Sequence, residues 1–248
     1  VKKFYNRLKF NHIQFYHQCQ QWLGASLPCT LCDAPATAST STPLTLCNHC
    51  FDLLPWYTSP RCPKCALPTS SGEHCGICLQ HAPAFDRTLT SFRYAYPLNR
   101  LLHQFKYHQQ LPVGHLLANS LITQLPKIAQ PQVVMAMPMH INRVKQRGFN
   151  HALELAKQVH HHCGIALDIE SCVRVIDTPT QAGMDMKTRT RNLRGAFATH
   201  KSWQGQHVMI VDDVMTTGAS MHAVARVLKQ AGATQVTALV LARTLKHE

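Results

Sequence analysis

The run Val208-Met209-Ile210-Val211-Asp212-Asp213-Val214-Met215-Thr216-Thr217-Gly218-Ala219-Ser220 constrains the fold more than any other part of the chain. Val208 to Val211 is short, apolar and rich in β-branched residues, the pattern of a buried strand in a parallel sheet. Asp212 and Asp213 follow at the strand's carboxyl end. Hydroxyls and a glycine come next, and then Met221 to Ala231, which reads as a helix. Open α/β sheets bind ligands outside the carboxyl ends of their strands. A helix N-terminus in that place offers free N–H groups and the positive end of its dipole, which suits a phosphate. Thr216, Thr217 and Ser220 add hydroxyl donors, and Gly218 lets the backbone approach closely. Ionised Asp212 and Asp213 would repel that phosphate, but they only accept hydrogen bonds and so match sugar hydroxyls. One loop therefore has a place for a 5′-phosphate and a place for a 2′,3′-diol, the two ends of a sugar phosphate.

A second pattern governs the N-terminal part. Four Cys-x-x-Cys pairs occur in a row: Cys29/Cys32, Cys47/Cys50, Cys62/Cys65 and Cys75/Cys78. Each pair can form a knuckle that aims two thiolates at one ion, and two knuckles complete a tetrahedral structural Zn²⁺ site. Eight ligands give two such sites. Sequential pairing puts Cys29, Cys32, Cys47 and Cys50 around one ion and Cys62, Cys65, Cys75 and Cys78 around the other. A cross-braced pairing, first pair with third, also satisfies the spacing. The stretch is poor in large apolar residues and rich in Pro, Thr and Ser, so metal must supply folding energy. A thioredoxin-like role needs a βαβ context that this stretch lacks. Cys19, Cys163 and Cys172 lie outside the pattern and read as small apolar residues.

Between these features the chain alternates strands with helices. Arg87 to Tyr96 reads as a strand or hairpin, and Pro97 opens a helix over Leu98 to Tyr107. Val113 to Leu125 reads as a second helix and Gln132 to Met137 as a buried strand ended by Pro138. A basic loop, Met139 to Asn150, leads into a helix over Ala152 to His161. Cys172 to Ile176 and Phe197 to Thr199 read as further strands, Thr178 to Arg191 as a polar stretch without hydrophobic pattern, and Val236 to Leu241 as the strand that closes the sheet. The class is α/β with a mainly parallel sheet. The expected organisation is a helical segment at 1–24, a small zinc-ribbon module at 25–84 and a larger domain at 85–248, which 248 residues can accommodate.

Charge indicates the partner's sign. The net charge of +13 calls for an anionic partner. No acid occurs between Asp86 and Glu154, where Arg87, Arg93, Arg100, Lys106, Lys127, Arg143, Lys145 and Arg147 lie. A second acid-free run holds Lys187, Arg189, Arg191, Arg194 and Lys201. No apolar run approaches the ~20 residues of a membrane span, and residues 1–23 are too polar for a signal peptide. The expected setting is cytoplasmic.

The Val208–Ser220 segment resembles the phosphoribosyl-pyrophosphate (PRPP) loop of type I phosphoribosyltransferases: an apolar strand, two acids, two apolar residues, Thr-Thr-Gly, any residue, then Thr or Ser. The order of features resembles the ComF/GntX family: the Cys pairs, Tyr94 to Lys106, Pro138 with Arg143 and Arg147-Gly148-Phe149-Asn150, Thr180-Gln181, Arg191-Asn192-Leu193, Ala196-Phe197, then the PRPP loop. His151 stands where that family commonly has Gln, and Met184 where it commonly has Leu. The resemblance implies a type I phosphoribosyltransferase fold behind an N-terminal zinc ribbon. It places Met137 to Met139 at the pyrophosphate-loop position and makes 178–194 a flexible hood.

By the same resemblance the site holds PRPP with Mg²⁺. Asp212 and Asp213 would carry the catalytic role at the ribose diol. Thr216, Thr217, Gly218, Ala219 and Ser220 would bind the 5′-phosphate, with Arg143 and Arg147, alongside Lys145 and the hood cations, toward the pyrophosphate. The family is associated with natural transformation and use of external DNA, so single-stranded DNA and a DNA-uptake helicase or recombination protein are expected partners. Three functions fit: a phosphoribosyltransferase with an unidentified acceptor, a non-catalytic single-stranded-DNA-handling factor that senses PRPP, and an effector-sensing transcription regulator.

Overall fold

A computed structural model of the chain describes residues 28–36, 46–108, 110–125, 131–177, 193 and 195–245. The helical segment expected at 1–24 lies outside the described residues, as does the hood expected at 178–194 apart from Leu193. The chain divides into two compact units, Val1–Leu53 and Leu54–Glu248. The division falls inside the 25–84 stretch, so each unit carries one cysteine quartet.

In the first unit, Cys29 N donates to Ala34 O at 2.7 Å and Asp33 N to Cys29 O at 2.8 Å, closing a tight knuckle. Helix α1 (Asn48–Asp52) follows, with Cys47 at its N-cap. The second unit repeats the knuckle: Cys62 N donates to Leu67 O at 2.8 Å and Ala66 N to Cys62 O at 2.9 Å. Helix α2 (Gly76–Gln80) then starts from Cys75.

The second quartet joins the larger unit because its backbone is bonded to strand β1 (Arg87–Arg93). Thr88 N donates to Pro63 O at 3.0 Å, Thr88 Oγ1 to Lys64 O at 2.6 Å, and Tyr57 N to Ser91 O at 2.9 Å. β1 is an edge strand, and these bonds cover an edge that would otherwise invite pairing with another chain.

Helices α3 (Leu98–Tyr107) and α4 (Leu111–Ile122) follow β1. α3 buries Leu98, Leu101, Leu102 and Phe105, a stripe at helical spacing. Gly114 lies where α4 meets that stripe, and a Cβ there would overlap the Phe105 ring. Strand β2 (Val133–Ala136), helix α5 (Ile141–Arg147), helix α6 (His151–Cys163) and strand β3 (Ala166–Asp168) come next. Strands β4 (Cys172–Arg174) and β5 (Phe197–Thr199) pair antiparallel as a separate ladder. Strand β6 (His207–Met215), helix α7 (Ala219–Gln230) and strand β7 (Gln235–Arg243) complete the unit.

The main sheet is parallel with the order β1-β7-β6-β2-β3. β6 sits at its centre, and Val208 to Val211 are fully buried. α4, α6 and α7 pack against the sheet.

Two expectations need correction, and one strand was not expected. β7 does not close the sheet: it lies between β1 and β6, and its continuous burial fits that interior place. The basic stretch 139–150 is not only a loop, because it holds α5, started by His140 Nδ1 accepting from Asn142 N at 3.3 Å and stopped by Gly148 at φ 81°. β3, too short to leave a period, is an additional edge strand.

Candidate functional site

The site forms where β6 ends. The strand continues through both acids to Met215, and the two carboxyl groups stay close to each other. Asp213 is buried and Asp212 half-buried. Two basic side chains from other elements meet Asp213. Lys106 Nζ, from the last turn of α3, forms an ion pair with Oδ2, and His151 Nε2, from the first residue of α6, lies 3.5 Å from Oδ1. Burial alone would raise the Asp213 pKa. Lys106 and then His151 outweigh it and hold the carboxyl well below its usual range. Lys106 responds in kind, its pKa raised by Asp213 against the opposing effect of burial. Asp212 goes the other way: burial and then the neighbouring Asp213 charge push it well above the usual carboxylate range. Asp213 N donates to Asp212 Oδ1 at 2.9 Å. Ligand atoms of His151, Asp212 and Asp213 all lie within 4.8 Å of one another, and carboxylate oxygens are the donors a hard cation takes.

The loop after β6 turns on Gly218, at φ 79°, a left-handed conformation that residues with a Cβ adopt at a cost. No side chain caps α7 there. Ala219 N donates to Thr217 Oγ1 at 3.3 Å, and the first helical bond runs from His222 N to Gly218 O at 2.8 Å. The amides of Ser220 and Met221 therefore have no acceptor within the helix, as first-turn amides generally do not. A small cavity opens over them, lined by Asp212 and residues 214–221. The carboxylate, hydroxyls and helix N-terminus expected from the sequence thus face one space.

Arg243, the last residue of β7, fixes the start of this loop. It is 3% exposed. Its Nη1 donates to Met215 O at 2.9 Å, to Thr244 O at 2.7 Å and to Thr216 O, while Nε donates to Cys65 O at 2.8 Å. The other side of the loop rests on the segment before β1. Phe85 touches the Cβ position of Gly218, and Ala84 N donates to His222 Nδ1 at 2.9 Å.

The expected pyrophosphate cations have partners outside the loop after β6. Arg143 Nε is 3.6 Å from Asp177 Oδ1, and Asn142 Nδ2 donates to Asp177 Oδ2 at 3.0 Å. The Arg147 guanidinium lies over the Tyr107 ring at 5.3 Å. Lys145 is exposed. Asn150 holds backbone: Oδ1 accepts from Ala152 N at 3.0 Å and Nδ2 donates to Met137 O at 3.2 Å. It thereby ties the 137–139 turn to the start of α6, which carries His151.

Sequence reasoning missed three partners. Lys106 looked like one more cation of the acid-free run, and His151 like a departure from a family pattern. Arg243 left one signal, a cation directly after the apolar run Ala238 to Ala242.

The cysteines assemble sequentially. Cys29, Cys32, Cys47 and Cys50 form one cluster and Cys62, Cys65, Cys75 and Cys78 the other, with the sulfurs of each within 4.8 Å. Cys32 Sγ lies 3.7 Å from Cys47 Sγ, and Cys65 Sγ 3.5 Å from Cys75 Sγ. A tetrahedron of Zn–S bonds near 2.3 Å has edges of about 3.8 Å. Burial opposes ionisation of Cys29, but the N–H groups of Cys47, Leu31 and Cys32 hold its thiol down to about 6. Burial and neighbouring sulfurs push Cys50 and Cys78 up. Sulfurs this crowded, with amides aimed at them, suit a cation at their centre.

Comparison with known proteins gives concordant results. A phosphoribosyl transferase domain model matches residues 138–248, and a double zinc ribbon domain model matches residues 24–79. The DNA utilization protein YhgH of Salmonella typhimurium is 33% identical over 224 residues, covering 88% of this chain and 97% of that protein. Competence protein F of Haemophilus influenzae is 28% identical over 206 residues, covering 79% and 84%. Competence protein ComFC of Bacillus subtilis is 25% identical over 214 residues, covering 80% and 84%.

Proposed function

The chain belongs to the ComF family, with a type I phosphoribosyltransferase fold behind a double zinc ribbon, and from that premise we propose that it binds PRPP with Mg²⁺ and transfers the phosphoribosyl group. In this reading Thr216, Thr217, Gly218, Ala219 and Ser220 hold the 5′-phosphate through hydroxyls and first-turn amides. Asp212 and Asp213 accept from the ribose hydroxyls and stand near the positive charge that develops on the ring. The bond from the anomeric carbon to pyrophosphate breaks as a bond to the acceptor's nucleophilic atom forms, and the acceptor's proton passes to solvent. Mg²⁺, when bound, neutralises the leaving pyrophosphate. Arg143 and Arg147 are the cations assigned to that pyrophosphate, reached by exchange from Asp177 and Tyr107. The supporting observation is the meeting at one strand end of two unlike carboxyls, a hydroxyl-lined turn and an uncapped helix N-terminus.

The biological setting we propose is DNA uptake or use of external DNA, by analogy with the printed names of the relatives. A second reading, in which PRPP is sensed and the protein handles single-stranded DNA, draws on the net charge of +13. No helix among the described residues is long and apolar enough to cross a membrane. The cysteine clusters support a cytoplasmic setting in this reading, since such clusters persist where thiols stay reduced.

Calorimetry with PRPP and Mg²⁺ tests the pocket: wild type binds, and Asp212→Ala/Asp213→Ala binds at least tenfold more weakly. Equal binding by both would end the proposal. Pyrophosphate release across a panel of nucleobases, amines and DNA then separates transfer from sensing.

A further inference from the structure

A second cavity, of about 470 Å³, lies on the exposed side of α3 and is lined by Tyr94, Asn99, Arg100, Leu102, His103, Lys106 and Tyr107. Its size falls within the roughly 300–1,000 Å³ typical of small-molecule sites. The sequence places these residues together by helical spacing: Asn99, His103 and Lys106 or Tyr107 recur every three or four positions on one face. Tyr94 joins them from the end of β1, where its N–H donates to Arg243 O at 2.9 Å.

The lining has an uncommon composition. Tyr94 is 42% exposed and Tyr107 55% exposed, so both side chains reach solvent. The His103 ring stands 4.7 Å from that of Tyr107 in a tilted arrangement, and Arg147 lies over Tyr107. Arg100 supplies a guanidinium with no carboxylate partner among the described residues, and Asn99 an exposed amide. No acid lines the space, and the only aliphatic residue, Leu102, is buried.

That chemistry selects one kind of ligand. A metal cation would find no carboxylate. A lipid or apolar drug would find little aliphatic surface. A bare polyphosphate would leave the rings unused. A heteroaromatic base with a phosphate beside it uses everything present: rings to stack, an amide to pair with a base edge, and cations for the phosphate. We propose that the α3 cavity, built from Tyr94, Asn99, Arg100, His103, Lys106 and Tyr107, is a binding site for a nucleobase with its adjoining phosphate, presented by a free nucleotide or by a single strand.

Lys106 gives this site a link to the other one. The same side chain lines the cavity and pairs with Asp213. A phosphate in the cavity competes with Asp213 for Lys106 and so changes the charge at the end of β6. By linkage, a ligand at Asp212 and Asp213 must then alter affinity in the cavity by the same factor. The proposal adds a second ligand to the PRPP reading, yet it rests on the cavity's own lining and stands or falls separately.

The test is fluorescence anisotropy with a labelled oligothymidylate, together with calorimetry of free thymidine monophosphate, on the full chain. Tyr107→Ala should weaken binding about tenfold, and Tyr107→Phe should retain it, because stacking needs the ring and not the hydroxyl. Arg100→Ala should weaken binding and flatten its salt dependence. Tyr107 and Arg100 are exposed, and thermal melting checks that the variants stay folded. Binding of thymidine monophosphate identifies a free nucleotide as the source, and binding of the oligonucleotide alone identifies a strand. If wild type binds neither probe, or if Tyr107→Ala and Arg100→Ala both bind as wild type does, the proposal is overturned. PRPP calorimetry on the same wild-type preparation reports on the proposed function independently.

Discussion

Arg243 donates through Nε to the carbonyl oxygen of Cys65 at 2.8 Å, joining the end of β7 to the second cysteine knuckle. The same guanidinium holds the carbonyls of Met215 and Thr216, where the loop after β6 begins. One buried cation therefore connects a metal-type cluster to the loop that carries Thr216, Thr217 and Ser220. Burial lowers its pKa, but an arginine remains charged at neutral pH.

This strut makes the loop depend on the knuckle. Arg243→Leu leaves one buried and three part-buried carbonyls without this donor and should cost on the order of 3 kcal/mol of stability. PRPP affinity should fall while bound zinc, measured by atomic absorption, stays constant. Cys75→Ser should lower both. Wild-type PRPP affinity in a folded Arg243→Leu protein would show that the strut carries no positioning role.

Lys106 and Asp213 form a buried pair, and breaking it from one side should be costly. Lys106→Met leaves a buried carboxylate between His151 and the Asp212 carboxyl without its lysine, an expected loss of about 3–5 kcal/mol. The double variant Lys106→Met/Asp213→Asn should recover a large part of that loss. Denaturant melts of all four proteins give the coupling energy, and additive losses would argue against the pair.

Protonation of Asp212 should oppose ligand binding. Its pKa is raised by burial and by the Asp213 charge, so the empty site retains a proton above the usual carboxylate range. A ribose with Mg²⁺ favours the ionised form. Binding should therefore release a proton, and affinity should rise with pH until the raised pKa is passed. For stability the sign is the reverse. The native state holds more protons than the unfolded chain between the ordinary and the raised pKa, so this group's contribution declines as pH rises through that window. Calorimetry in buffers of different ionisation enthalpy measures the proton count, and a count of zero across the acid range would contradict the assignment.

Gly114 tests the packing beneath α3. Gly114→Ala gains helix propensity of up to about 1 kcal/mol, but its methyl group overlaps Phe105, a fully buried ring packed edge-on to Phe149. Overpacking of about 1–3 kcal/mol should win, giving a net loss in thermal melts. A higher melting temperature would mean that the ring has room to move.

The architecture was legible wherever it is written in neighbouring residues. Strand, acids, hydroxyls, glycine and helix are consecutive in Val208–Ser220, and local periodicity and capping rules suffice to read them. Cys-x-x-Cys spacing likewise revealed the knuckles, because two sulfurs three positions apart must point to one side. Partners from distant segments left no such trace. Spacing could not choose between sequential and cross-braced knuckles. It also could not bring Lys106 and His151 to Asp213, Arg147 to Tyr107, or Arg243 to Cys65, pairs that only chain crossing and desolvation create. The sequence alone determined that two carboxyls, three hydroxyls and a glycine share one loop between a strand and a helix. The tertiary structure alone decided which carboxyl is favoured as the anion, which cation is committed to it and which residues hold the loop in place, because charge and hydrogen bonding depend on what is buried beside a group rather than on what precedes it in the chain.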